Sequence, residues 1–217
     1  MVNGSPDPAD GAPEPDLDAP LQLSRRRIDQ LLVGFGIVAT LVLAIAGGLL
    51  TWGATFSDDH VHRELASQNV FFPSEEELRA EGREDLVRHA GDQVTTGDLA
   101  KAYASYIEGH LEGIADGKTY SQIDDRGAAQ AVHDAEDAGA SEEEIAELQA
   151  TADQLRGQRD TLFKGETLRG LLLSAYAWAT IGRIAAIAAY VVFAAAALML
   201  LLTVAGALHL RRHPQRA

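Results

Sequence analysis

The sequence predicts an all-α protein: two transmembrane helices flanking an extracytoplasmic helical domain. Three observations carry that expectation. Gln30 to Ser57 and Ile184 to Leu208 hold no charged residue, and each run exceeds the roughly 20 apolar residues that cross a bilayer core. The segment between them repeats helix-start signals, Ser or Thr followed by acidic residues. No stretch of it alternates convincingly with period two, the mark of a half-buried strand.

Taken in order, residues 1–24 read as a cytoplasmic tail. Pro6-Asp7-Pro8 and Pro13-Glu14-Pro15-Asp16 leave it almost no large apolar side chain, so it cannot offset its ordering entropy and is expected to be disordered. Residues 30–56 form the first span. Its apolar run is about twice the 7–15 residues of a signal-peptide core, which favours an uncleaved anchor. Arg25, Arg26 and Arg27 precede it, and His209, Arg211, Arg212, His213 and Arg216 follow the second span. Positive flanks stay cytoplasmic. Both termini are therefore expected inside, with residues 57–170 outside a plasma membrane.

That loop carries 26 Asp plus Glu against 11 Lys plus Arg, a net charge of −15. So acidic a surface excludes nucleic acid as a partner and offers no basic patch for anionic headgroups. The mean hydropathy of −0.06 averages these acids with two very apolar runs. No cysteine is present, which removes disulfides, thiolate metal sites and a Cys nucleophile.

Within the loop, Ser74-Glu75-Glu76-Glu77 fits a capping box, and Leu78, Leu86 and Val87 form the apolar side that follows. Thr95-Thr96-Gly97-Asp98 opens a second helix. Leu99, Tyr103, Tyr106, Ile107, His110, Leu111 and Ile114 recur there at spacings of three and four, until Asp116-Gly117 stops it. Gly127 to Ala138 is a weaker, alanine-rich helix. Ser141-Glu142-Glu143-Glu144 opens the next, which runs through Ile145, Leu148, Ala152 and Leu155 toward Leu162. Residues 171–183 read as a membrane-proximal helix. A span starting at Leu171 would be about 57 Å long, too long for ordinary tilt, whereas 184–208 gives about 37 Å. Arg183 is then expected at the outer headgroups as an anchor. Tyr176, Trp178 and Trp52 mark the interface. Phe71, Phe72, Leu162 and Phe163 are the candidates to cover the apolar turns above it. Residues 209–217 form the second cytoplasmic tail.

Few residues suggest chemistry. Asp58, Asp59, His60 and His62 are the weak metal candidates, a ligand set that zinc or iron accepts. Residues two apart do not share a helix face, so a polar cap on the first span is the plainer expectation. His110, beside Tyr106 and Glu108, has the chemistry of an acid–base residue, and equally that of a helix-face histidine with one nitrogen satisfied. The glutamate runs at 75–77 and 142–144 suit the positive ends of their helices. There is no H-E-x-x-H, G-x-S-x-G or Walker A loop. Ala44 with Gly48, and Gly182 with Ala186, give small-residue packing faces.

Phe71-Phe72-Pro73, Ala90 to Gly97, Gly117-Lys118-Thr119-Tyr120-Ser121 and Thr161 to Leu173 resemble a family of uncharacterised two-pass membrane proteins of actinobacteria, over about residues 25–213. The resemblance implies a plasma-membrane location and carries over no catalytic residue. No cofactor is expected. The expected partners are the lipid bilayer and either a membrane protein or a second copy of the chain. The leading function is a non-enzymatic interaction, scaffold or accessory protein of the cell envelope. The alternative is a metal-dependent envelope enzyme using His60, His62 and the nearby carboxylates. A sensor would have to pass its signal to another protein, because only a short tail follows the second span.

Overall fold

A computed structural model describes residues 25–212 of the chain. The proline-rich tail expected over 1–24 and the last five residues of the second tail lie outside the described residues. The elements are α1 (Arg25–Ser67), α2 (Glu75–Ala80), α3 (Gly97–Ile114), α4 (Asp125–Asp137) and α5 (Glu142–Arg212), with 3₁₀ turns at Glu84–His89 and Tyr120–Gln122. There is no strand among the described residues. One antiparallel bridge, Phe71 to Gln93, ties the connection after α1 to the one before α3. Its flanking bonds run from Phe72 N–H to the Asp92 carbonyl and from Val94 N–H to the Val70 carbonyl, both 2.9 Å.

Local chemistry sets the short elements. The Ser74 hydroxyl accepts from Glu77 N–H, and the Glu77 carboxylate accepts from Ser74 N–H at 2.8 Å, so the capping box is complete. The Ser74 backbone N–H first, and then the Ser74 hydroxyl donating to the same carboxylate at 2.8 Å, hold the Glu77 carboxyl below the usual carboxylate range. Thr96 caps α3, its hydroxyl accepting from Leu99 N–H at 3.3 Å. α4 ends where Gly139 takes φ +69°. There Ala140 N–H donates to the Ala135 carbonyl and Gly139 N–H to the Glu136 carbonyl, the two bonds of a Schellman cap.

Two compact units divide the described residues: 25–42 with 195–212, and Leu43–Ala194. In the first, α1 and α5 meet at small side chains. A Cβ placed on Gly36 would lie 2.2 Å from Thr203 Oγ1, and one on Gly206 would lie 3.4 Å from Val33 Cγ2. In the second, α1 turns Gly47, Ser57, Val61 and Leu65 inward. A Cβ on Gly47 would meet the Phe193 ring at 2.8 Å, and one on Gly182 would meet Ser57 Cβ at 2.8 Å. The Ser57 hydroxyl donates to the Trp178 carbonyl at 2.7 Å. Gly182 packs as its small-residue motif predicts. Ala44 and Gly48 do not: Ala44 is exposed and Gly48 has open space before it, so Gly36 and Gly47 supply the close approaches instead.

Both long helices are long and apolar enough to cross a membrane. Only 11 % of the most apolar window of each is buried. Leu31, Phe35, Leu41, Ile45 and Leu49 on α1 are more than half exposed, as are Ile184, Ile187 and Val191 on α5. Threonine hydroxyls on these helices turn back on their own backbone. Thr40 donates to the Gly36 carbonyl, Thr51 to Gly47 and Thr203 to Met199, which satisfies each group without water.

The polar domain of the second unit is built on α5. Along it, Gln158, Leu162, Gly165, Arg169, Leu172, Tyr176, Ala179 and Arg183 follow the alternating four-and-three spacing of one helix face. α3 lies antiparallel on that face. Gln158 donates to the Ile114 carbonyl at 3.1 Å and Arg169 to Glu108 at 2.6 Å. Lys101 sits 4.8 Å over the Tyr176 ring, and Arg183 pairs with Asp98 at 2.8 Å. The main core gathers Val61 and Leu65 of α1, Phe72, Leu78, Leu86, Val94, Ala100 and Ala104 around Leu172. A second core joins Leu111, Ala115, Ile123 and Leu162. Of the four residues expected to cover the apolar turns of α5, Phe72 and Leu162 are buried. Phe71 and Phe163 are about half exposed, the latter edge-on to Tyr120.

Candidate functional site

Asp58, Asp59, His60 and His62 all fall on α1, which continues to Ser67 rather than ending at a polar cap. A helix advances about 100° per residue, so the two imidazoles point about 160° apart. All four side chains are exposed. His60 stacks on Phe56 with ring centroids 5.9 Å apart. Among the described residues no three His, Asp or Glu side chains come together as a metal-binding group, and the quartet is not drawn together by any second element.

His110 sits at the end of an aromatic row. His89, Phe72, Tyr103, Tyr106 and His110 follow one another with ring centroids 4.5–5.5 Å apart. His110 Nδ1 lies 3.3 Å from the Tyr106 carbonyl oxygen, and its Nε2 lies 3.6 Å from Glu81 Oε1. The Tyr106 hydroxyl donates to the same Glu81 oxygen at 3.5 Å. The group therefore ties the end of α2 to the middle of α3. His110 is half exposed. Arg83 does similar work nearby. It is paired with Asp85 at 3.0 Å and donates to the Ser105 carbonyl and hydroxyl at 2.8 Å. The Asp85 contact raises the Arg83 pKa and lowers that of Asp85.

Burial pushes the Tyr106 phenol up to about 12, helped by its bond to Glu81, and burial also raises Tyr103. A phenol raised above its unfolded value of about 10 stabilises the fold fully below that pH. The contribution is lost as pH climbs from the unfolded to the folded pKa. Base titration followed by tyrosinate absorbance is expected to show Tyr103 and Tyr106 titrating late. Tyr106→Phe is expected to remove a late step near pH 12 and to flatten the loss of stability between pH 10 and 12. Equal titration of all five tyrosines would refute this.

Arg183 has a partner that the sequence does not reveal, because Asp98 lies 85 positions away. Both side chains are more than half exposed, and exposed pairs contribute about 0–1 kcal/mol. Arg183→Lys and Arg183→Leu are therefore expected to reach near-normal levels in the membrane fraction, with thermal midpoints within about 3 °C of the parent. A collapse of abundance for the lysine variant would show that the guanidinium fork is required.

The glutamates 75–77 and 142–144 occupy the first turns of α2 and α5. The Ser141 hydroxyl accepts from Glu144 N–H at 3.3 Å. These are helix-end contacts. Sequence reasoning missed a groove between α1 and α5, about 420 Å³ in volume, bordered by His60, Glu64, Leu168, Leu171 and Trp178. Its signal in the sequence is Leu171 and Trp178 seven residues apart. No protein-family model, curated protein or solved structure matches this chain.

Proposed function

We propose that this chain is a two-pass plasma-membrane protein with an acidic extracytoplasmic helical domain, serving as a non-enzymatic scaffold or accessory protein of the cell envelope. The observation that carries the reading is the exposed apolar surface of two long helices. In water a chain of this size does not tolerate so large a contiguous patch, and in lipid it is the expected surface. The arginines at the outer ends of the two apolar runs favour cytoplasmic termini. Asp58, Asp59, His60 and His62 stand exposed on one helix with the two imidazoles about 160° apart, which favours the non-enzymatic reading over a metal-dependent one.

Single cysteines in this cysteine-free chain test the placement. Introduced at Ser5, Ala140 and Gln215, they are to be probed on whole cells with an impermeant maleimide. Only the Ala140 position is expected to react before lysis. Reaction at either tail would reverse the orientation.

A further inference from the structure

We propose that the groove between α1 and α5 holds a cationic amphiphile of the outer leaflet, its ammonium head at Glu64 and its chain running down to Trp178. The source of this ligand rests on the membrane-spanning reading above. The site and its preference for a cation go beyond it.

The groove belongs wholly to the second unit. Val61, Leu65 and Leu172 are its buried floor, and Leu171 and Trp178, 65 % and 55 % exposed, are its open wall. Its volume of about 420 Å³ falls within the range of small-ligand sites. From Leu168 to Trp178 it runs about 15 Å along α5.

The polar groups lie along the α1 edge, where His60, Glu64 and Gln68 stand at steps of four. Apart from the imidazole, Glu64 is the one ionisable side chain that lines the groove. Its carboxylate has no hydrogen bond or ion pair among the described residues. A single unpaired anion beside apolar walls matches a ligand that joins one cation to an apolar body. The wider field agrees: residues 57–170 carry a net charge of −15, which repels an anionic head. A small free amine would gain nothing from Leu171 and Leu172, so the apolar chain belongs to the ligand.

The levels of the groove set its orientation. The Ser57 hydroxyl donates to the Trp178 carbonyl at 2.7 Å, so these two positions stand level. Glu64 and Leu171 each lie seven residues away on antiparallel helices, about 10 Å farther from the spans. Toward the spans, Phe56 and Ile181 are 53 % and 56 % exposed and continue the apolar surface. An amphiphile therefore lies head up and chain down, as it already does in the outer leaflet. The stretch of chain lifted out of lipid is the stretch that the groove walls cover.

The test uses the full chain in neutral maltoside micelles. The chain has two tryptophans, so Trp52→Phe leaves Trp178 as the single indole. Three probes of one chain length carry a bromine at the tail end, where it quenches an indole on contact: ω-bromododecyl-trimethylammonium, ω-bromododecanol and ω-bromododecyl sulfate. At low salt the ammonium probe is expected to reach half-quenching at about a threefold lower concentration than the alcohol, and the sulfate at a higher one. Glu64→Gln is expected to bring the ammonium and alcohol probes together. Glu143→Gln, on the first turn of α5, is expected to keep the preference. Equal quenching by all three probes would overturn the proposal, as would a preference that survives Glu64→Gln or vanishes with Glu143→Gln. Carbonate extraction of native membranes separates the two readings. Extraction-resistant protein with no head preference refutes the site alone, whereas release into the supernatant refutes the membrane placement and, with it, the leaflet as the source.

Discussion

Gly97→Val is expected to unseat α3 and lower the stability of the polar domain by several kcal/mol. Even the first carbon of a side chain at Gly97 would lie 2.3 Å from Ala179 Cβ and 3.3 Å from Tyr176 Cα. The second of these contacts is backbone, so no rotamer change relieves it. Overpacking of this kind costs about 1–3 kcal/mol, and more where the backbone must move. Gly97 is helical and buried, so its smallness serves close approach and not an unusual dihedral angle. The measurement is the thermal midpoint of the purified protein by circular dichroism. Ala179→Gly in the same chain is expected to recover part of the loss. A Gly97→Val protein with the parent midpoint would show that α3 does not rest on α5 as described.

Leu78→Ala is the second large effect. Leu78 has no exposed surface and is the one buried side chain of the six-residue helix α2. It packs in the core with Phe72, Leu86 and Val94. Removing its three outer carbons leaves a cavity and costs about 2–5 kcal/mol. A helix this short has little stability of its own, so its capping box cannot hold it in place once the anchor is lost. Limited proteolysis is expected to cut the variant between residues 74 and 90 and to spare the parent there. Resistance equal to the parent would argue that the box, and not the leucine, fixes α2. Ser74→Ala provides that comparison, with an expected cost of about 1 kcal/mol.

Much of this architecture was legible in the sequence because it is written in local signals. Ser74, Thr96 and Ser141 each stand at the helix starts where their hydroxyls were expected. The stripe from Leu99 to Ile114 does face the core, but its deepest residues are Ala100 and Ala104, at 0 % and 1 % exposure. Alanine gives little hydropathy signal, so the apparent centre of the stripe was displaced by about one residue. The boundary expected near Leu171 has no counterpart in secondary structure, since α5 runs unbroken from Glu142 to Arg212. The change from polar to apolar composition there does not end the helix. The pair of Arg183 and Asp98 was invisible because it depends on the antiparallel seating of α3 on α5. That seating is set by core packing over many residues and not by any motif. The groove was missed for a related reason: two exposed apolar residues seven apart become a surface only when α1 is laid beside them.

The unbroken course of α5 has a consequence for how such a chain can change length. On one rod, Leu172, Tyr176 and Ala179 face the polar domain and Gly182 faces Ser57 of α1. Inserting one residue between Ala179 and Gly182 would turn everything beyond it by about 100°, leaving α3 seated while α1 met the wrong flank. Seven residues complete nearly two turns and restore the facing within about 20°. Angular phase is conserved along the rod as strictly as side-chain size is at its contacts. Lengthening or shortening between those two contacts therefore keeps the facing only near whole numbers of turns, as with seven or eleven residues.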